Sequence, residues 1–459
     1  MAASVPGPGP GPTRTGLAGR LPAFPWDSLL PAKHRAAAHP DGIADLSVGT
    51  PVDPTPASVQ SALSAAADSP GYPTTIGTPA LREALVEFVR RHRRATETLD
   101  VQGVVPTVGS KELVAHLPFQ LGLGAGDAIA FPHIAYPTYD MGARFVGARP
   151  LPVDMARLAA EGDAALPDPS AASRIRLLWL NSPSNPTGEV LDVDQLAALL
   201  AWARERGIVV ASDECYALLP WTVDEVPSIL DPRVNGGSLE GLLCVYSLSK
   251  QSNLAGYRAA FVAGDPSLVA ELVAVRKQAG MMLPGPVQAA FAAALADDAA
   301  PAAQREVYRA RRAQLAPALE SAGGTIHGSQ AGLYLWTTFD EDSMATVDRL
   351  ADLGVLVAPG MFYGEGGARF VRVALTATDE GSPPPPSASS APDTSGPAPG
   401  PIRPRTTESP WITPRRLPTS PSGRSPSIFR SSLPWRATPA SRSVRSARRP
   451  ARSPTIPAT

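Results

Sequence analysis

The chain has 459 residues, 44% of them hydrophobic, and a formal net charge of −1. That length allows two or three domains with a substantial core, and no stretch approaches the roughly 18 uninterrupted apolar residues a membrane helix needs. Two cysteines, Cys215 and Cys244, and six scattered histidines offer neither a disulfide framework nor metal-ligand spacing, so a cytoplasmic protein without a protein-held metal is expected.

In chain order, residues 1–17 begin MAASVPGPGPGPTRTG, rich in proline and glycine and without the apolar run of a signal peptide. They are read as disordered. Residues 18–60 are read as an N-terminal arm and part of a smaller domain. From 61 to 265, β-rich runs alternate with alanine-rich helical patterns, which points to a large α/β domain with a mostly parallel central sheet. Strands are predicted at 104–108, 128–131, 175–180, 208–212, 242–246 and 259–263, and helices at 111–122, 139–146 and 193–206. Such a sheet places binding loops at the C-terminal ends of its strands. Residues 266–380 turn to long helices, then to the short strands GLYLWTTF and ARFVRVAL around a helical SMATVDRLADLG, a smaller α+β domain.

Residues 381–459 hold twelve arginines, no lysine and 19 of the 52 prolines, for a net +10 that leaves −11 on the rest of the chain. So little apolar surface does not offset the entropy of ordering, and a disordered C-terminal tail is expected. Its arginines lack the interleaved aromatics of a stacking platform, so no specific nucleic-acid partner is expected.

Five short stretches carry chemistry, each with an ordinary alternative. In PTVGSKELVAHL a strand runs into Gly109, Ser110 and Lys111 at a helix start; this makes a phosphate cradle, or a serine cap beside a surface lysine. In LWLNSPSNPTGEV, Asn185 belongs to a binding loop or a plain turn, with Asn185–Pro186 a cis candidate. VVASDECYALL brings Asp213 to a strand end with Tyr216 three residues on, although an acid there is more often a cap or loop charge. SLSKQSNLAGYR gathers Ser247, Ser249, Lys250 and Arg258. Burial and neighbouring cations make a lysine nucleophilic, and hydroxyls with a cation bind phosphate; the alternative is a solvated basic loop. In ARFVRVALTA, period 2 sends Arg369 and Arg372 to opposite faces, Arg372 sharing its face with Phe370 and Ala374. There it would bind a carboxylate ligand or make a structural salt bridge.

Taken jointly and in this order, the five stretches resemble the class I/II aminotransferases of pyridoxal-phosphate fold type I, over about 40–378. The resemblance implies pyridoxal 5'-phosphate as cofactor, with an amino acid and a 2-oxo acid as small-molecule substrates. It implies that Lys250 binds the cofactor aldehyde and moves the substrate proton, and that Asp213 meets the pyridine nitrogen. Asn185 and Tyr216 are implied at the 3' oxygen, and Ser110, Lys111, Ser247 and Arg258 at the phosphate, with Gly109 allowing close backbone approach. Tyr136 would stack on the ring, while Gly49, Asn185 and Arg372 would meet the substrate. Tyr72 matches a tyrosine that reaches the neighbouring subunit's phosphate, which implies a homodimer with shared active sites.

Phrases such as FPWDSL, DLSVGTPVDPTP and KQAGMMLPGPVQAA look like the actinobacterial succinyldiaminopimelate transaminase subgroup. That implies amino transfer between glutamate and N-succinyl-2-amino-6-ketopimelate in lysine and diaminopimelate synthesis. The alternatives are an aminotransferase of aspartate, alanine or LL-diaminopimelate type, and a non-catalytic binding or regulatory protein. The family pattern continues past VRVALTATDE into a terminal helix. Here a Pro/Ser/Arg-rich stretch follows Glu380, the composition expected of an out-of-frame reading of a GC-rich gene.

Overall fold

The computed structural model describes residues 16–378; the tail read as disordered at 381–459, and residues 1–15 of the N-terminal stretch, lie outside them. Helix α1 (Leu30–Ala37), strand β1 (Ala44–Asp45) and helices α2 (Ala57–Ala65) and α3 (Pro79–Arg93) lead into the central sheet. Its strands are β2 (Val104–Val108), β3 (Ala128–Pro132), β4 (Arg149–Val153), β5 (Ile175–Asn181), β6 (Val209–Asp213), β7 (Leu242–Ser247) and β8 (Ala259–Gly264). Between them fall α4 (Ser110–Gln120), α5 (Thr138–Val146), α6 (Met155–Glu161), α7 (Val193–Arg204) and the single turn α8 (Pro232–Asn235). The spatial order is β2-β8-β7-β6-β5-β3-β4, and only β8 runs antiparallel to its neighbours.

The inner strands of this sheet read as near-continuous apolar runs because both faces are covered by helices. Alternation along β5 sends Leu178 and Leu180 into one layer with Leu85 of α3 and Leu199 of α7. Leu177 and Trp179 go to the other layer, with Leu113 of α4 and Tyr139 of α5. Helix α7 starts at a capping box in which Asp192 and Gln195 bond each other's backbone N–H.

Sequence reading did not anticipate β4, whose residues are RPLPV. Proline removes a ladder donor and is confined to edge strands. Arg149 donates its N–H inward to Asp127 O at 2.9 Å. The alternating positions Pro150 and Pro152 therefore turn their missing N–H groups to the open side of this edge strand.

Helices α9 (Pro266–Ala279), α10 (Gly285–Ala296) and α11 (Ala299–Ser321) precede a second sheet. It contains β9 (Thr325–His327) and β10 (Tyr334–Thr338); after α12 (Ser343–Ala351) and β11 (Val355–Leu356) come β12 (Ala358–Pro359) and β13 (Phe370–Ala374). The order β12-β13-β10-β9 is antiparallel throughout. Strand β11 pairs in parallel with β1, which brings the early chain to this region. Leu29 and Leu46 share its core with Leu335, Val347 and Val373. Among the described residues no helix is long and apolar enough to cross a membrane.

Candidate active site

Strands β5, β6 and β7 end side by side, with Asn181 in register with Asp213 and Asp213 with Val245. Buried Asp213 accepts hydrogen bonds from the Tyr139 hydroxyl at 3.0 Å and the Cys215 N–H at 3.2 Å. Burial pushes its carboxyl above the usual carboxylate range, against the pull of those hydrogen bonds. No basic side chain pairs with it among the described residues, and a buried carboxylate in that setting is stabilised by a cationic partner. Glu214 beside it is anchored by Arg93, Ser228 and the Ile229 N–H, which fixes the backbone that carries Asp213.

The segment after β5 is both a turn and part of the site. Asn181 donates to the Asp213 carbonyl at 3.0 Å, and its side-chain oxygen accepts from the Asn185 N–H at 2.8 Å. Asn185–Pro186 is cis, as its sequence suggested, and so is Ser182–Pro183. Asn185 Oδ1 in turn accepts from Arg372 Nη1 at 3.0 Å.

Past β7, buried Ser247 donates to Ser249 Oγ at 2.8 Å. Arg258 donates to the Ala255 carbonyl at 2.9 Å and pairs with no carboxylate among the described residues. Its guanidinium lies against Gly109, where a Cβ would overlap it. Gly109 also sits at φ +82°, so both space and backbone demand glycine. Ser110 opens α4 directly after it. An anion is the ligand such a set of hydroxyls, helix N–H groups and an arginine attracts.

The Lys250 ammonium donates to the Gly49 carbonyl. Burial holds its pKa below the usual lysine range; Arg372 and Arg258 add to that, while Tyr334 opposes it. This is the setting of a basic, nucleophilic amine rather than of a solvated loop.

Arg372 is 4% exposed and makes no salt bridge among the described residues. It donates to Asn185 and, at 2.7 Å, to the Ser47 carbonyl, while its Nε has no partner. Its guanidinium carbon lies 4.0 Å from the Tyr334 ring centre and 5.0 Å from that of Tyr363. The structural salt bridge belongs instead to Arg369, which pairs with Asp340 at 2.8 Å in solvent.

The Tyr216 hydroxyl lies 3.2 Å from that of Tyr334. Burial pushes the Tyr136 phenol up to about 12, and its ring meets Tyr139 edge-on at 6.0 Å. Lys111 is exposed, with its ammonium 5.8 Å over the Phe24 ring. Asn185, Asp213, Tyr216, Ser247, Lys250, Arg258 and Arg372, with Ser110, Lys111, Tyr136, Tyr139, Asn181, Tyr334 and Gly49, line one cavity of about 1440 Å³. Of the residues singled out in the sequence, Gly109 lies behind Arg258 and Tyr72 is 98% exposed and outside the cavity. A smaller cavity of about 390 Å³ at the end of α3 is lined by charges such as Arg94 and Glu225 that pair with each other.

Three site residues escaped sequence reasoning: Tyr139, Asn181 and Tyr334. Tyr139 follows Tyr136 by three residues in YPTYD, and Asn181 ends the strand next to that of Asp213. Tyr334 lies two residues before Trp336, which stands opposite Arg372.

Among the described residues the cavity thus presents a buried carboxylate with no basic partner, an arginine–serine cradle with no acidic partner, and a basic lysine. That donor set fits pyridoxal phosphate, whose ring nitrogen, phosphate and aldehyde are complementary to the three. Residues 41–382 match the model of the family aminotransferase class I and II. The chain belongs to the class I and II aminotransferases. Relatives of this aminotransferase include the 4-dedimethylamino-4-oxo-anhydrotetracycline transaminase OxyQ of Streptomyces rimosus, 53% identical over 78% of this chain and 96% of that protein. Another is the probable aminotransferase Rv1178 of Mycobacterium tuberculosis, 54% identical over 81% of this chain and 86% of that protein. Among solved structures, a probable N-succinyldiaminopimelate aminotransferase of Thermus thermophilus superposes with a TM-score of 0.69 at 29% identity, covering 77% of this chain and 96% of that one.

Proposed function

We propose that this aminotransferase moves an amino group between glutamate and N-succinyl-2-amino-6-ketopimelate, with the cavity residues in the following roles. Arg372 carries the reading: a buried arginine with no acidic partner among the described residues, beside Lys250, suits the carboxylate of an α-amino acid. Asn185 and Gly49 border the same position. Lys250 binds the cofactor aldehyde and, as a free amine, takes and returns the proton at the substrate Cα. Asp213, oriented by Tyr139, keeps the ring nitrogen protonated. Asn185 and Tyr216 hold the 3' oxygen, and Tyr136 stacks on the ring. Ser110, Lys111, Ser247 and Arg258 bind the phosphate, with Gly109 leaving room for Arg258. When bound, the cofactor supplies an electron sink for the charge left as Cα loses its proton.

Tyr72, 98% exposed on one chain, supports a homodimer in which it reaches the partner's site. Buried free Cys215 and Cys244 are in keeping with a cytoplasmic enzyme.

The cavity volume of about 1440 Å³ leaves space for a long acylated dicarboxylate, in keeping with the name of the Thermus protein. A second reading has its own support. The 53% identity to OxyQ and a cavity wall containing Phe24, Trp26 and Phe362 favour a bulky ring substrate. A half-reaction panel separates the two: candidate amino donors are added to pyridoxal-phosphate-loaded protein and loss of the visible band is followed. Rapid loss with glutamate and N-succinyl-diaminopimelate, but not with aspartate, alanine or LL-diaminopimelate, supports the first reading. Glutamate reacting while the succinylated donor stays inert rejects it.

A further inference from the structure

Tyr334 belongs to none of the motifs that carry the cofactor chemistry, yet it touches both halves of the site. It is 4% exposed and sits on β10, on the face that Arg372 presents from β13, because Trp336 and Arg372 pair in register. Its ring centre lies 4.0 Å from the Arg372 guanidinium carbon. Its hydroxyl lies 3.2 Å from the Tyr216 hydroxyl. That hydroxyl also crowds Gly49, where a Cβ would overlap it, and Gly49 is the residue whose carbonyl accepts from Lys250. One side chain therefore contacts the proposed carboxylate arginine, a proposed 3'-oxygen donor and the loop on which Lys250 rests.

The electrostatics point the same way. Burial alone would push the Tyr334 phenol up, but the Arg372 and Lys250 charges outweigh it and hold it below the usual tyrosine range. Burial pushes Tyr216 well up instead. Tyr334 is therefore the more acidic of the two phenols and the better donor to the Tyr216 oxygen, which leaves the Tyr216 proton for the 3' oxygen. The charged and titratable groups that act on Lys250 are Tyr334 from β10, Arg372 from β13, Cys215 from the loop after β6, and Arg258 from its own loop.

We propose that Tyr334 is a positioning residue for amino transfer: its ring holds the Arg372 guanidinium for the substrate carboxylate, and its hydroxyl orients Tyr216 and braces the Gly49 loop on which Lys250 rests. The proposal rests on the roles given above to Lys250 and Arg372. Tyr334→Phe removes the hydroxyl and keeps the ring; Tyr334→Leu removes both.

The test uses the full chain loaded with pyridoxal phosphate, with two readouts: the pH midpoint of the visible absorption band, and KM and kcat for the amino donor. Without the electron-rich oxygen, the protonated form at Lys250 loses a stabilising neighbour. The Tyr334→Phe midpoint should therefore fall by about half a unit or more, with KM within about twofold of the parent. In Tyr334→Leu the midpoint should fall as far and KM should rise about tenfold, the scale of a desolvated cation–π contact. An unmoved midpoint in Tyr334→Phe, or a KM in Tyr334→Leu no higher than in Tyr334→Phe, overturns the proposal. A parent protein that shows no visible band at all would instead defeat the assignment of Lys250.

Discussion

The two sheets line the same cavity but deliver their side chains in different ways. The seven-stranded sheet contributes from its strand ends and the loops just beyond them, through Asn181 at the end of β5 and Asn185 after it, Asp213 at the end of β6 and Lys250 after β7. Those backbones are fixed by fully buried parallel strands, so each loop carries a short contiguous motif. The four-stranded antiparallel sheet contributes from within its strands, with Arg372 in the middle of β13 and Tyr334 at the start of β10 meeting on one face. Their placement depends on register rather than on a loop. Substitutions after the large-sheet strands should therefore change chemistry without changing stability, whereas those behind the loops or on the small sheet should act through geometry.

The largest effect tests the first half of that comparison. Lys250→Ala should lower single-turnover amino transfer by about 10⁴-fold, while its thermal unfolding midpoint stays within a few degrees of the parent. Next is the support behind Asp213. Arg93 and Glu214 form an ion pair at 2.7 Å with side chains 3% and 1% exposed. Breaking such a buried pair with Arg93→Met should cost about 3–5 kcal/mol in urea unfolding, an effect on stability that Lys250→Ala should not share.

On the small sheet, Arg372→Lys keeps the charge but loses the planar fork. KM for the amino donor should rise by about 10- to 100-fold with a smaller change in kcat, measured by steady-state kinetics. The smallest effect concerns the loop that carries Gly49. Asp53 pairs with Arg311 of α11 at 2.6 Å, and although burial opposes it, the Arg311 guanidinium holds the Asp53 carboxyl below its usual range. A carboxylate with a lowered folded-state pKa stabilises the fold above its unfolded value and loses that contribution as pH falls through the folded one. Asp53→Asn should thus be less stable than the parent by about 1 kcal/mol at pH 7, with the gap closing in melting curves as pH falls below the ordinary carboxylate range of about 3.9.

How much was legible in the sequence follows the same division. Strands such as 104–108, 175–181 and 242–247 lie within a residue of their predicted positions because buried parallel strands write themselves as apolar runs. The residues of SLSKQSNLAGYR come together because one loop holds them. The face of Arg372 was legible from period 2 alone. Strand β4 was not, since its prolines argue against any strand except an edge. Tyr139 and Tyr334 were missed because each finds its partner across more than seventy residues, through helix packing or strand register that no local pattern encodes. The subgroup phrases point to a succinylated substrate, while OxyQ, at 53% identity, carries the name of a different one.

In the function proposed above, Lys250 and no other lysine carries the cofactor. The chain has only four lysines: Lys33, Lys111, Lys250 and Lys277. The full-length protein can be loaded with pyridoxal phosphate, reduced with borohydride, digested and mapped by mass spectrometry. The expected result is the pyridoxyl tag on Lys250 alone, and none in Lys250→Ala. A tag on Lys111, an even spread over the four lysines, or no tag on the parent protein would contradict it.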